Sequence, residues 1–159
     1  MKKLTFILIF CFVFYGFVYA QMNEVYFNRA LKEESRLKYI RNNIRGFADY
    51  TYTIKDGIRD DTVRHFSLVK IDTTGNIISI AEFDGDRNFL TQKKFIYNQK
   101  HEKIAEFYIE EGRLKHKTLY YYDLDNELIE SVNLTDFGSV NEQVKFFRNS
   151  SGLITKIYA

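Results

Sequence analysis

The sequence predicts a mainly β protein of the α+β class: one N-terminal amphipathic helix packed on one face of an antiparallel meander of about nine strands, built from hairpin repeats of about 26 residues. Three observations carry this prediction. After Gly46 the chain consists of short alternating runs of aromatic and β-branched residues separated by turn residues. The turns are periodic, with Gly57, Gly85, Gly112 and Gly138 spaced by 28, 27 and 26 residues and a second, polar set lying between them. The chain also has 0 Pro, so nothing interrupts a continuous ladder.

The first segment is set apart by composition. Met1-Lys2-Lys3 is a cationic start, Leu4 to Phe17 is an almost unbroken apolar run interrupted by Gly16, and Val18-Tyr19-Ala20 places small residues at the positions a signal peptidase reads. Residues 1–20 are therefore expected to be a signal peptide cleaved after Ala20, with retention as a membrane anchor as the rival reading. A lipid-attachment box around Cys11 is disfavoured because bulky Phe10 occupies the place of a small residue. The segment resembles bacterial export signals, which implies a secreted, periplasmic or cell-envelope protein. Asn133 and Asn149 head glycosylation sequons that in such a product are turn chemistry only.

Residues 21–46 read as the helix. Phe27, Ala30, Leu31, Leu37, Ile40 and Ile44 recur at helical spacing, Arg29, Lys32, Glu33, Arg36 and Lys38 take the other side, and Gly46 is the expected stop. Its apolar stripe is expected to cover the sheet.

Residues 47–159 read as the repeat region, one domain with the helix. The expected strands are 47–54, 60–71, 76–83, 91–97, 103–109, 115–122, 127–134, 142–148 and 153–158. Polar turns at Asp72-Thr73-Thr74-Gly75, Asn98 to Glu102, Asp123 to Asn126 and Asn149 to Gly152 are followed by the apolar pairs Ile77-Ile78, Ile104-Ala105, Leu128-Ile129 and Leu153-Ile154. Glycine supplies positive φ at a tight reversal, and Asp or Asn closes a turn on its own backbone. The edge strands are expected at Phe47–Ile54 and Leu153–Tyr158.

Composition excludes several functions. Of Lys+Arg 23 and Asp+Glu 21, the signal segment removes two lysines and no acid, so the remainder is formally neutral and is not expected to bind nucleic acid. The single Cys also leaves with the signal, which removes disulfides and thiol catalysis. No cofactor is implied. His65, His101 and His116 share no metal-ligand spacing. Asp84-Gly85-Asp86-Arg87-Asn88 begins like a calcium loop but places Phe89 and Phe95 where that loop needs glycine and a bidentate acid, so a polar turn is expected. Glu106 and Glu130 lie one repeat apart and, with Ser79 and Thr155, are expected to form one solvated row.

The unit of aromatic strand, Asp/Asn turn with Gly, apolar pair and strand, seen at Tyr121 to Leu128 and at Lys70 to Ile77, resembles the tyrosine–aspartate repeats of bacterial surface and toxin-encapsulating proteins. The resemblance spans residues 60–158. Only Tyr122-Asp123 has the Tyr-Asp pair itself, and His101-Glu102 replaces Gly in the second unit. It implies a scaffold or interaction role with no catalytic residues.

Aromatic residues occupy both pleat faces, so some must be exposed. Tyr120 and Tyr122 share one face and Tyr121 the other. Tyr97, Tyr108, Tyr120 and Tyr122 are the candidate binding residues, for a protein or glycan partner, without membrane insertion after cleavage. The expected function is a non-enzymatic, exported binding or envelope-structural module. Its rivals are a small secreted hydrolase using a His/acid pair, an inhibitor-like protein gripping a partner, and assembly through edge strands.

Overall fold

The structure is a computed structural model and describes residues 32–149 and 154–158, with side chains to residue 155. The expected signal peptide 1–20, the helix before residue 32 and residues 150–153 of the last turn lie outside the described residues. The chain divides into two units, Met1–Lys38 and Tyr39–Ala159. No helix among the described residues is long and apolar enough to cross a membrane.

Helix α1 occupies residues 32–41 among the described residues. It ends through Asn43, whose φ is 51°, with Ile44 N–H donating to the Tyr39 carbonyl at 2.9 Å and Asn43 N–H to the Ile40 carbonyl at 3.1 Å. The expected stop at Gly46 is thus corrected: the short amide side chain of Asn43 tolerates the left-handed turn. Gly46 instead opens the first strand, where a Cβ would come within 2.5 Å of the Val69 carbonyl oxygen.

Nine strands follow: β1 (Gly46–Lys55), β2 (Ile58–Ile71), β3 (Ile77–Asp84), β4 (Phe89–Tyr97), β5 (Lys103–Glu110), β6 (Arg113–Tyr122), β7 (Leu128–Thr135), β8 (Val140–Arg148) and β9 (Ile154–Tyr158). They form one sheet in sequence order, each antiparallel to the next. These are the strands the alternation predicts, most of them extended toward their turns by a residue or two.

The reversals come in two chemistries. Asp56-Gly57 and Glu111-Gly112 are two-residue connections with φ of 51° and 76°, and 50° and 74°, the left-handed pairs whose twist matches a hairpin. The connections starting at Asp72, Asp84, Asn98, Asp123 and Thr135 share a longer design. In each, the fourth residue donates back to the first carbonyl, and the first N–H donates to the fifth carbonyl. The first side chain then accepts the fifth N–H: Asp72 from Asn76 at 2.9 Å, Asp84 from Asn88 at 2.8 Å, Asn98 from Glu102 at 3.0 Å, Asp123 from Glu127 at 2.9 Å and Thr135 from Ser139 at 3.2 Å. The fourth residue is left-handed throughout: Gly75 at 82°, Arg87 at 67°, His101 at 63°, Asn126 at 67° and Gly138 at 83°.

Gly85 departs from its expected role. Its turn takes the positive φ at Arg87, and Gly85 is needed because a Cβ there would lie 2.3 Å from the Val63 carbonyl oxygen. Carboxylate chemistry in this loop is absorbed by the turn, since Asp84 also accepts Asn88 Nδ2–H at 2.9 Å.

Beside most reversals the register skips one residue. Lys70 and Ile71 face Ser79 and Ile77, Ile96 and Tyr97 face Ala105 and Lys103, and Tyr121 and Tyr122 face Glu130 and Leu128. Such bulges bend and twist each hairpin. The sheet has little sealed interior: Val69, Ile71 and Ala105 are the buried apolar residues among the described residues. Cross-strand stacking supplies part of the cohesion, as Tyr50, Phe66, Phe83 and Phe89 form a ladder with ring centroids 5.6, 4.9 and 5.9 Å apart.

Glycine roles can be separated by substitution. Arg87→Gly relieves a left-handed strain and should raise stability by about 0.5 kcal/mol net of glycine's extra chain entropy. Gly85→Ala forces backbone movement against Val63 and should cost roughly 1–3 kcal/mol. Urea midpoints at constant m-value measure both, and a neutral Gly85→Ala would contradict the close approach.

Candidate functional site

The polar centre of the sheet lies on β4, β5 and β6. Phe95 on β4 is opposite Glu106 on β5, which is opposite Thr118 on β6, and Tyr120 lies two residues further along β6 on the same pleat face. Lys103 stands at the bulge that pairs it with Tyr97. Its Nζ is 2.6 Å from Glu106 Oε2, 4.7 Å from the Tyr120 ring centroid and 5.3 Å from that of Phe95. Tyr120 Oη donates to the same Glu106 oxygen at 3.3 Å.

Burial by itself would push the Glu106 carboxyl up, but the hydrogen bond and charge of Lys103, the charge of Lys93 and the Tyr120 hydroxyl hold it below the usual glutamate range. Burial likewise opposes the charge on Lys103, and Glu106 with Tyr120 raises its pKa above the ordinary lysine value. Both partners are therefore charged at neutral pH. That arrangement orients the rings and lacks the proton-transfer poise of a general acid or base near neutrality.

Two tyrosines clip this region to neighbouring strands. Tyr97 Oη donates to the Ile77 carbonyl at 2.9 Å, and Tyr122 Oη donates to the Lys103 carbonyl at 2.8 Å. Burial, then the charges of Asp72 and Glu106, push the Tyr97 hydroxyl up to about 12. Burial also raises the Tyr120 pKa, with Glu106 adding to it and Lys103 opposing.

Of the four tyrosines singled out in the sequence, the structure brings Tyr97, Tyr120 and Tyr122 around Lys103 and Glu106. Tyr108 lies further along β5, stacked on His116 at 4.7 Å. The other histidines are separate: His65 on β2 is opposite Asp84, and His101 occupies a turn with Nδ1 3.2 Å from Asn76 Nδ2. A second turn contact, Asn126 Nδ2 to Glu102 Oε1 at 2.9 Å, repeats that geometry one hairpin pair along.

The single solvated row expected for Ser79, Glu106, Glu130 and Thr155 does not form. Ser79 and Glu130 belong to one face and Glu106 to the other. The cause is a one-residue offset: Lys103, ahead of Ile104-Ala105, takes the place that Ile77 holds in β3.

The face opposite Glu106 carries exposed apolar side chains among charged ones, including Lys70, Lys94, Glu130 and Lys145. Ile96 is 47% exposed, Tyr121 45% and Phe147 45%, and each lies two residues before a turn begins. Tyr50 and Leu68 share that face and are 50% and 41% exposed. Ile96 and Phe147 went unselected because the sequence reading favoured tyrosines; their signal was their fixed distance from the next turn.

No family model matches this chain, and no curated protein matches it in sequence. Among solved structures, the chain is similar to a point mutant of S. aureus TarM in complex with Fondaparinux, alpha-GlcNAc-glycerol and UDP, at 14% identity and a TM-score of 0.29, covering 77% of this chain and 21% of that one. It is also similar to a second TarM structure, at 15% identity and a TM-score of 0.28, covering 89% and 25%. The chain thus spans about a quarter of those proteins or less.

Removing either tyrosine clip leaves a part-buried carbonyl without its donor. Tyr97→Phe and Tyr122→Phe should each cost about 1 kcal/mol in urea unfolding. In an absorbance titration of the phenolates, Tyr97→Phe should also remove the transition near 12. Equal stability of both variants with the parent would contradict the clip role.

Glu106 also sets an acid dependence. Its folded pKa lies below the unfolded value, so its stabilising contribution is complete above the unfolded pKa and is lost as pH falls through the folded one. Glu106→Gln should flatten the acid limb of stability against pH below about 4.5, and an unchanged limb would remove the Lys103 pairing from the account.

Proposed function

We propose that this chain is a non-catalytic binding module that meets a protein or glycan partner through the sheet face bearing Ile96 and Tyr121. The observation that carries this reading is their exposure, 47% and 45%, on one face of a sheet at matching distances from their turns. Large apolar side chains left exposed on a sheet face are costly in water and useful in an interface. The ionised Lys103–Glu106 pair on the other face supports the non-enzymatic part of the proposal.

The module is further read as built from hairpin repeats of about 26 residues, akin to tyrosine–aspartate repeats. Recurrence of the side-chain-closed turns at Asp72, Asn98 and Asp123, and of the Tyr97 and Tyr122 clips, supports this. Export to the cell envelope or beyond is proposed from the composition of residues 1–20.

The test is recovery of envelope partners by the purified protein, beside Ile96→Ser/Tyr121→Ser and a Tyr108→Ser control on the opposite face. The double variant should lose most recovered material, and the control should keep it. Equal recovery by all three would sink the face assignment.

A further inference from the structure

We propose that β1 is a self-association edge: two copies of this chain pair antiparallel through it about a twofold axis at Tyr52. No described strand lies on its outer side, and it has 10 residues without Pro. Its outward-facing backbone groups can be identified. Arg45 is bound to β2 through its carbonyl, which accepts Ile71 N–H at 2.9 Å. At the other end Lys55 pairs with Ile58 across the Asp56-Gly57 turn, whose flanking pair is hydrogen-bonded. Odd residues therefore face β2, and Gly46, Ala48, Tyr50, Tyr52 and Ile54 present their N–H and C=O groups outward.

Only registers that pair even residues with even residues use those groups. Centring the axis on Tyr52 places Tyr50 opposite Ile54, Thr51 opposite Thr53 and Asp49 opposite Lys55, each twice by symmetry. The two charges that would repel an unrelated apolar strand neutralise one another here, which is why the occupant is a second copy. Tyr50 at 50% and Ile54 at 71% exposure gain apolar partners. Thr51/Tyr52 and Tyr52/Ile54 are sites of register shift, with the extra residues on β2, so β1 keeps a regular outer edge.

The geometry also answers a local weakness. β3 pairs with β2 only from His65 to Ile71, so Tyr52–Lys55 and Ile58–Val63 continue beyond it as a two-stranded ribbon. Such a ribbon is marginal in water by itself. In the pair, residues 49–52 of the second copy lie along Tyr52–Lys55 as a third strand.

Light scattering of the purified protein over a concentration series tests this. A dimer is expected, and Asp49→Lys or Lys55→Asp should each weaken it about tenfold by setting like charges opposite at both symmetric positions. The double variant Asp49→Lys/Lys55→Asp should restore the parent affinity, and Asp49→Glu should retain it. Tyr52→Pro, which removes an outward N–H at the axis, should leave a monomer with parental far-ultraviolet circular dichroism. A monomer at every concentration, a higher oligomer, a dimer indifferent to both single reversals, or a double variant no tighter than the singles would each overturn the proposal.

Discussion

Much of this sheet depends on one short hydrogen bond, from the fifth N–H of a turn to the side-chain oxygen of its first residue. At Asp72, Asp84, Asn98, Asp123 and Thr135 that bond closes the reversal locally. The left-handed fourth residue completes the closure, and the strand beyond enters with its register offset by one residue. Since each reversal joins strands adjacent in sequence, little loop entropy opposes pairing, and the meander can form hairpin by hairpin.

A sheet made this way has little interior to rely on. Cohesion comes from side chains that reach across strands: the ladder from Tyr50 to Phe89, the hydroxyls of Tyr97 and Tyr122 on backbone carbonyls, and Lys103 between two rings and a carboxylate. These contacts differ between faces. One face commits its charges and hydroxyls near the centre to internal partners, while the other leaves Ile96 and Tyr121 at the surface. The Lys103–Glu106 cluster is thus explained by stability alone, and the exposure of Ile96 and Tyr121 is not.

The strands and most turns were legible in the sequence because both are written locally, as alternation and as Asp or Asn five residues ahead of the strand they admit. What stayed hidden depended on the partner strand. Gly85 looked like a positive-φ residue, yet its lack of a side chain serves the approach of Val63, and Arg87 takes the left-handed position. Gly46 looked like a helix stop for a similar reason, while Asn43 was the residue that made it. Glu106 and Glu130 were assigned to one row because each follows an apolar pair, yet Glu106 lies eight residues after Asn98 and Glu130 seven after Asp123, and that one-residue difference puts them on opposite faces. The four candidate tyrosines were legible as strand aromatics, but where each hydroxyl goes is a matter of register.

Edge and face are linked by symmetry. Pairing two copies through β1 about an axis perpendicular to the sheet leaves like faces on the same side, so the Ile96 and Tyr121 faces of both copies form one surface. A partner with a repeated epitope would then meet two arrays at once, and its apparent affinity would rise through effective concentration without any new contact in either copy. A monomer offers each array alone. The β1 edge would thereby act on recognition at a distance, by setting how many copies of the Ile96 and Tyr121 surface are presented together.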